Sequence, residues 1–174
     1  ATTVFYGDEK IDEENNRLFE SATGVDWSEF DSGGTSNTTV SIDSNVANKL
    51  QVTTSTEDAI EGCRLTQANF QEGGGQIVVG RTYRVSVDLQ LTTPSSGTGD
   101  HTAFTIKLGG TASAEFDITY SEATYTKDIT VTDNTGSLQI YNSSSTQTIF
   151  TVDNVSIKEI GTATGWTNAD QQLD

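Results

Sequence analysis

The strongest regularity in the chain is an alternation of apolar and polar side chains with period two. From Tyr83 to Thr92 the apolar positions Tyr83, Val85, Val87, Leu89 and Leu91 alternate with Arg84, Ser86, Asp88 and Gln90. Five apolar positions in strict alternation predict a strand with one buried face. The same period predicts strands over Thr38 to Asp43, Lys49 to Ser55, Thr102 to Leu108, Ala114 to Tyr120, Tyr125 to Thr132 and Ser137 to Ser143. Less regular strands are expected over Arg17 to Ser21, Cys63 to Gln71 and Ile149 to Ile160. In the last of these Phe150 and Val152 share one face, whereas Val155 and Ile157 have the opposite parity. One extra residue must be absorbed near Asp153 and Asn154, which predicts a β-bulge there. The connections carry turn chemistry: Glu72-Gly-Gly-Gly75, Pro94-Ser-Ser-Gly-Thr-Gly99, Gly109-Gly110 and Asp133-Asn-Thr-Gly136. No stretch of a dozen residues shows a helical stripe. The expectation is an all-β antiparallel sandwich of nine or ten strands, with the one Pro in a loop.

Composition supports this and narrows the function. The chain of 174 residues is large enough for one domain, and its 29 Thr and 17 Ser favour strands over helices. Residues 1–16 are acidic and read as an N-terminal linker, 17–160 as the sandwich, and 161–174 as a polar C-terminal linker towards a further domain. The absence of Met suggests a piece of a longer polypeptide. No apolar run approaches the roughly 20 residues needed to span a bilayer, so no membrane partner is expected. The net charge of −16 repels phosphate backbones, so no nucleic-acid partner is expected either. One Cys (Cys63) and one His (His101) leave little for a disulfide, a multi-histidine metal site or a catalytic dyad. No nucleophile elbow and no phosphate-binding loop is present, and nine acids crowd the first 31 residues without forming a catalytic pair. The chain is expected not to be an enzyme.

Three stretches carry a family likeness: Asn16-Arg-Leu-Phe-Glu20 with Trp27 following, Gly80-Arg-Thr-Tyr-Arg-Val-Ser86, and Phe150-Thr-Val-Asp-Asn-Val-Ser-Ile157. In order and spacing they resemble the jelly-roll carbohydrate-binding modules of the family 4, 9 and 22 type, a fold also found in bacteriophage structural proteins. The resemblance implies a galactose-binding-domain-like jelly roll with a sugar-binding groove across a concave sheet. It also implies a structural calcium ion held by the carboxylates of Glu20 and Asp153, with carbonyl oxygens from Arg17 or Leu18 and from the turn at Asn48 to Leu50. Calcium takes six to eight oxygens, which such a set would supply together with water.

A sugar ring is held by aromatic faces and by planar polar groups that bridge its hydroxyls. On that basis Tyr141 is the stacking candidate, because it sits on the polar parity of its strand. Gln139, Gln90, Asp88, Arg84 and Lys107 are the candidate hydroxyl-bridging set, and Trp27 is a further ligand candidate at the core or rim. The outward or inward facing of Arg64, Thr66 and Phe70 is left open by the pattern. The expected function is a noncatalytic module that binds a neutral polysaccharide or oligosaccharide within a larger extracellular or virion-associated protein. The alternative is a phage virion or tail structural or host-attachment domain without sugar affinity, which the scarcity of outward aromatics keeps open.

Overall fold

The structure is a computed structural model that describes residues 4–11, 17–19, 26–31, 41–43, 47–55, 60–70, 76–94, 103–134, 136–144 and 146–162. In chain order its strands are β1 (Val4–Glu9), β2 (Ser28–Asp31), β3 (Ser41–Asp43), β4 (Leu50–Thr53), β5 (Glu61–Thr66), β6 (Thr82–Pro94), β7 (Phe104–Leu108), β8 (Thr111–Ala112), β9 (Ala123–Thr130), β10 (Ser137–Asn142) and β11 (Thr148–Thr162). They form two antiparallel sheets. The six-stranded sheet runs β3-β4-β11-β6-β9, with β1 also paired to β11, and the five-stranded sheet runs β2-β5-β10-β7-β8. This is a β-sandwich jelly roll. Among the described residues the only helical turn is a 3-10 turn over Gln67–Asn69, and no helix is long and apolar enough to cross a membrane.

The alternation read from the sequence is what closes the sandwich. Tyr83, Val85, Val87, Leu89 and Leu91 of β6 are all buried, and they face Phe104, Ile106 and Leu108 of β7 with Leu138 and Ile140 of β10. Each such side chain removed from water contributes about 1.5–3 kcal/mol. The two sheets are locked together where Phe104 meets Phe150 edge to face, with ring centroids 5.0 Å apart.

The bulge lies where parity requires it. Asp153 pairs with Asp88 and Ser156 with Ser86, so two residues of β11, Asn154 and Val155, oppose the single Val87 of β6. Asn154 takes the left-handed conformation with φ 49°, which keeps Val155 and Ile157 in the core.

Other expectations are corrected. The acidic stretch expected to be a linker supplies β1, which pairs with Lys158–Thr162 of β11, and Ile11 behind it is fully buried. Edge strands tolerate charge on their open side, which hides them from a search for apolar alternation. Residues 17–19 form a turn in place of the expected strand start. Residues 114–120 are not a strand: only Phe116 makes a bridge, to Phe104, while Ile118 is buried and Tyr120 is exposed. That segment carries the chain from β8 in one sheet to β9 in the other, so its backbone bonds split between Phe104 and Leu91. Pro94 ends β6 opposite Thr148, where a missing N–H interrupts no further ladder. His101 and Trp166 lie outside the described residues.

Candidate functional site

The seven ligand candidates do not share a face. Arg84, Asp88 and Gln90 project from β6 on the outside of the six-stranded sheet, whereas Gln139, Tyr141 and Lys107 project from β10 and β7 on the outside of the five-stranded sheet. Two apolar layers separate them, so no single groove gathers all six. Trp27 is on neither face: it is 7% exposed and packs against Phe19 at 6.1 Å, a core residue and not a groove residue.

The residues on the six-stranded face are already engaged. The Arg84 guanidinium makes two 2.7 Å hydrogen bonds to the Asp128 carboxylate, donates to the Tyr6 hydroxyl, and lies 5.2 Å from the centre of the Tyr6 ring. Asp88 accepts from the Thr124 hydroxyl and from the Asn154 amide at 2.7 Å, and the Gln90 amide donates to the Tyr120 carbonyl at 2.9 Å. Hydrogen bonds from Arg84, and then its charge, lower the Asp128 pKa below the ordinary carboxylate value of 3.8. A carboxylate with a lowered folded pKa stabilises the protein above its unfolded pKa and loses that contribution as pH falls through the folded one. An Asp128→Asn variant is therefore expected to melt slightly below the wild type at pH 7, with the gap closing below about pH 4. Parallel melting curves at the two pH values check it.

The face of the five-stranded sheet is different. Across β2, β5, β10 and β7 one row reads Phe30, Gly62, Tyr141, Thr105, and the next reads Ser28, Arg64, Gln139, Lys107. Gly62 lets the first row work. A Cβ on it would lie 2.1 Å from the Ile140 carbonyl oxygen and 2.6 Å from the Tyr141 Cα, so no other residue fits between β2 and β10. Over this bare strand the rings of Phe30 and Tyr141 reach each other, with centroids 5.6 Å apart and planes tilted by 46°. The outcome is a small half-buried aromatic platform on an otherwise polar sheet face.

Beside the platform, the Gln139 amide nitrogen donates to the Ser137 hydroxyl at 3.1 Å, while its carbonyl oxygen is buried without a hydrogen-bond partner. Arg64 is exposed and donates through Nε to the Ser28 hydroxyl at 3.1 Å. Phe70, whose facing the pattern left open, is fully buried, while Arg64 and Thr66 face outward. Phe30 is the residue that sequence reasoning missed. Its signal is the short alternation of Ser28 and Phe30 with Glu29 and Asp31 directly after Trp27.

Of the residues expected around a metal, Glu20 lies outside the described residues, while Arg17, the turn before Leu50 and the strand carrying Asp153 adjoin one another. The Val155 N–H donates to the Arg17 carbonyl at 3.1 Å, and Arg17 Nε donates to the Val155 carbonyl at 3.1 Å. Leu50 pairs with Val152, which brings the preceding turn beside Asp153. Four of the five described non-glycine residues with positive φ, Phe19, Ala47, Asn48 and Asn154, belong to these segments. Strained backbone of this kind clusters at ligand clamps. Carboxylate and carbonyl oxygens with no sulfur or imidazole suit a hard cation. Among the described residues no group of three His, Cys, Asp or Glu side chains is placed to hold a metal by itself. Cys63 is fully buried and burial raises its thiol pKa, so it packs the core and is no nucleophile.

No protein-family model matches the sequence, and no curated protein matches it. Solved structures do. The family 22 xylan-binding domain of Paenibacillus barcinonensis Xyn10C gives a TM-score of 0.58 at 16% identity, covering 88% of this chain and 95% of that one. A family 4 carbohydrate-binding module gives 0.56 at 17% identity, covering 84% of this chain and 99% of that one. The enzymatically active domain of bacteriophage CBA120 tailspike protein 4 gives 0.51 at 18% identity, covering 86% of this chain but 21% of that one. At such identities the likeness is one of fold: the chain has the jelly-roll fold seen in these carbohydrate-binding modules and in the tailspike domain.

Proposed function

We propose that this chain is a noncatalytic carbohydrate-binding module that lays a glycan chain across the outer face of its five-stranded sheet. The observation that carries the reading is the Phe30–Tyr141 platform over Gly62, beside the amide of Gln139. An aromatic face covers the C–H side of a pyranose ring, and the neighbouring amide bridges its hydroxyls. Arg84, Asp88 and Gln90 stabilise the opposite sheet and take no part. The fold neighbours, a xylan-binding domain and a family 4 carbohydrate-binding module, support the same reading. An extracellular or virion-associated setting within a larger protein accords with it.

Affinity electrophoresis against soluble xylans, β-glucans, mannans and uronate-bearing glycans tests the proposal. At least one polymer is expected to retard the protein. Tyr141→Ala and Phe30→Ala are each expected to weaken that binding about five- to thirtyfold, since each removes roughly 1–2 kcal/mol of stacking, while the melting temperature stays near that of the wild type. Retardation by none of the polymers would favour the second reading, a virion spacer domain without sugar affinity, to which the tailspike likeness gives a specific basis.

A structural calcium ion at the junction of Asp153 with the segment that leads into Glu20 belongs to the same proposal. Calcium at one hundred times its dissociation constant is expected to add about 2.7 kcal/mol of stability. A chelator that leaves the melting curve unmoved would remove the ion from the proposal, and Asp153→Asn is expected to abolish the calcium response.

A further inference from the structure

The face that carries the aromatic platform is also the face where the charge of the molecule reverses. The chain has 25 acidic and 9 basic residues. Yet the outward positions of the five-stranded sheet, from Ser28 and Phe30 through Gly62, Arg64 and Thr66, Ser137, Gln139 and Tyr141, to Thr105, Lys107 and Ala112, include no carboxylate. They include two cations. Arg64 and Lys107 stand on either side of Gln139 in one cross-strand row, two strand spacings or about 10 Å apart at the backbone.

Neither cation has a carboxylate within ion-pair distance among the described residues, whereas Lys49 pairs with Glu122, Arg81 with Glu159 and Arg84 with Asp128. In a chain this acidic, two cations that have no ion pair among the described residues, on strand positions that carry no carboxylate, leave a charge for a ligand to meet. The carbonyl oxygen of Gln139, buried and without a hydrogen-bond partner, lies between them. We propose that the glycan held on this face is acidic, with its carboxylates received by Arg64 and Lys107 while Tyr141 and Phe30 cover a ring and Gln139 takes a hydroxyl.

This rests on the reading of the face as a glycan site and departs from the neutral ligand expected of the module. The overall charge of −16 does not oppose it at contact range. At physiological ionic strength, charges more than about 8 Å away are largely screened, so the pair at the groove outweighs the acids elsewhere. Arg64 also presents a planar fork that matches a carboxylate bidentately, which a neutral sugar would leave unused.

The test is calorimetry of the full chain with glucuronoxylan, polygalacturonate and alginate, each beside its carboxyl-reduced preparation. At least one acidic polymer is expected to bind about tenfold tighter than its reduced form, with affinity falling as salt rises from about 50 to about 500 mM. Arg64→Met and Lys107→Met are each expected to lose about tenfold for the acidic form and to leave the reduced form unchanged, with the melting temperature checked for both. Equal binding of acidic and reduced forms would overturn the acidic ligand while leaving the glycan site intact. An acidic preference that survives both Met variants would place the carboxylate contact elsewhere and overturn it too. Binding of no polymer in either form would refute the glycan reading itself and this inference with it.

Discussion

Gly62→Ala is expected to lower stability by about 3 kcal/mol or more, a large share of the 5–15 kcal/mol of a typical domain. The methyl group would lie 2.1 Å from the carbonyl oxygen and 2.9 Å from the carbonyl carbon of Ile140, and 2.6 Å from the Tyr141 Cα. All three are backbone atoms of β10, so no change of rotamer relieves the overlap. β5 must move away from β10, which weakens the ladder running from Ser137 and Thr66 to Asn142 and Glu61. Overpacking against yielding side chains costs about 1–3 kcal/mol, and rigid backbone gives less. For a chain of this size the melting temperature should fall by about 6 °C or more. An unchanged melting curve would show that β5 and β10 do not approach in this way, and the aromatic platform built over Gly62 would lose its basis.

Phe150→Ala is expected to cost about 3–5 kcal/mol, the range for removing a fully buried phenylalanine. Phe150 lies on β11, the strand that runs through the middle of the six-stranded sheet, and its ring meets the edge of Phe104 in the other sheet. The cavity would open between the layers. There the neighbours Leu50, Val52, Leu89 and Leu91 are held by their own strands and cannot collapse into it. Chemical denaturation should show a lower midpoint with an unchanged slope, because the same surface is exposed on unfolding. A loss under 1 kcal/mol would mean that the sheets do not pack through this ring.

The alternation along β6, β7 and β10 made most of the core legible in the sequence, and the parity break after Asp153 located the bulge. Period two reports which side chains of a strand are buried, but not to which sheet the strand belongs. For that reason Arg84, Asp88 and Gln90 could be read as neighbours of Gln139, Tyr141 and Lys107, although the sandwich sets them back to back. Sheet order is decided by pairings between segments far apart in the chain, such as Tyr141 with Gly62. β1 and β2 were hidden for another reason: both are short strands carrying acids, and their residues gain more from backbone pairing than from burial. Phe30 went unseen with β2, although it completes the platform that Tyr141 begins.

The pairing of β1 with the end of β11 sets the mechanics of the domain. Val4 faces Thr162 across this ladder, so chain entering at one and leaving at the other emerges from the same corner. A pull on those two points acts along the interstrand hydrogen bonds, which lie perpendicular to antiparallel strands, and loads them one rung at a time. The domain would yield to tension by peeling β1 away first, at low force, while the layer bearing Phe30 and Tyr141, which shares no strand with that edge, keeps its shape.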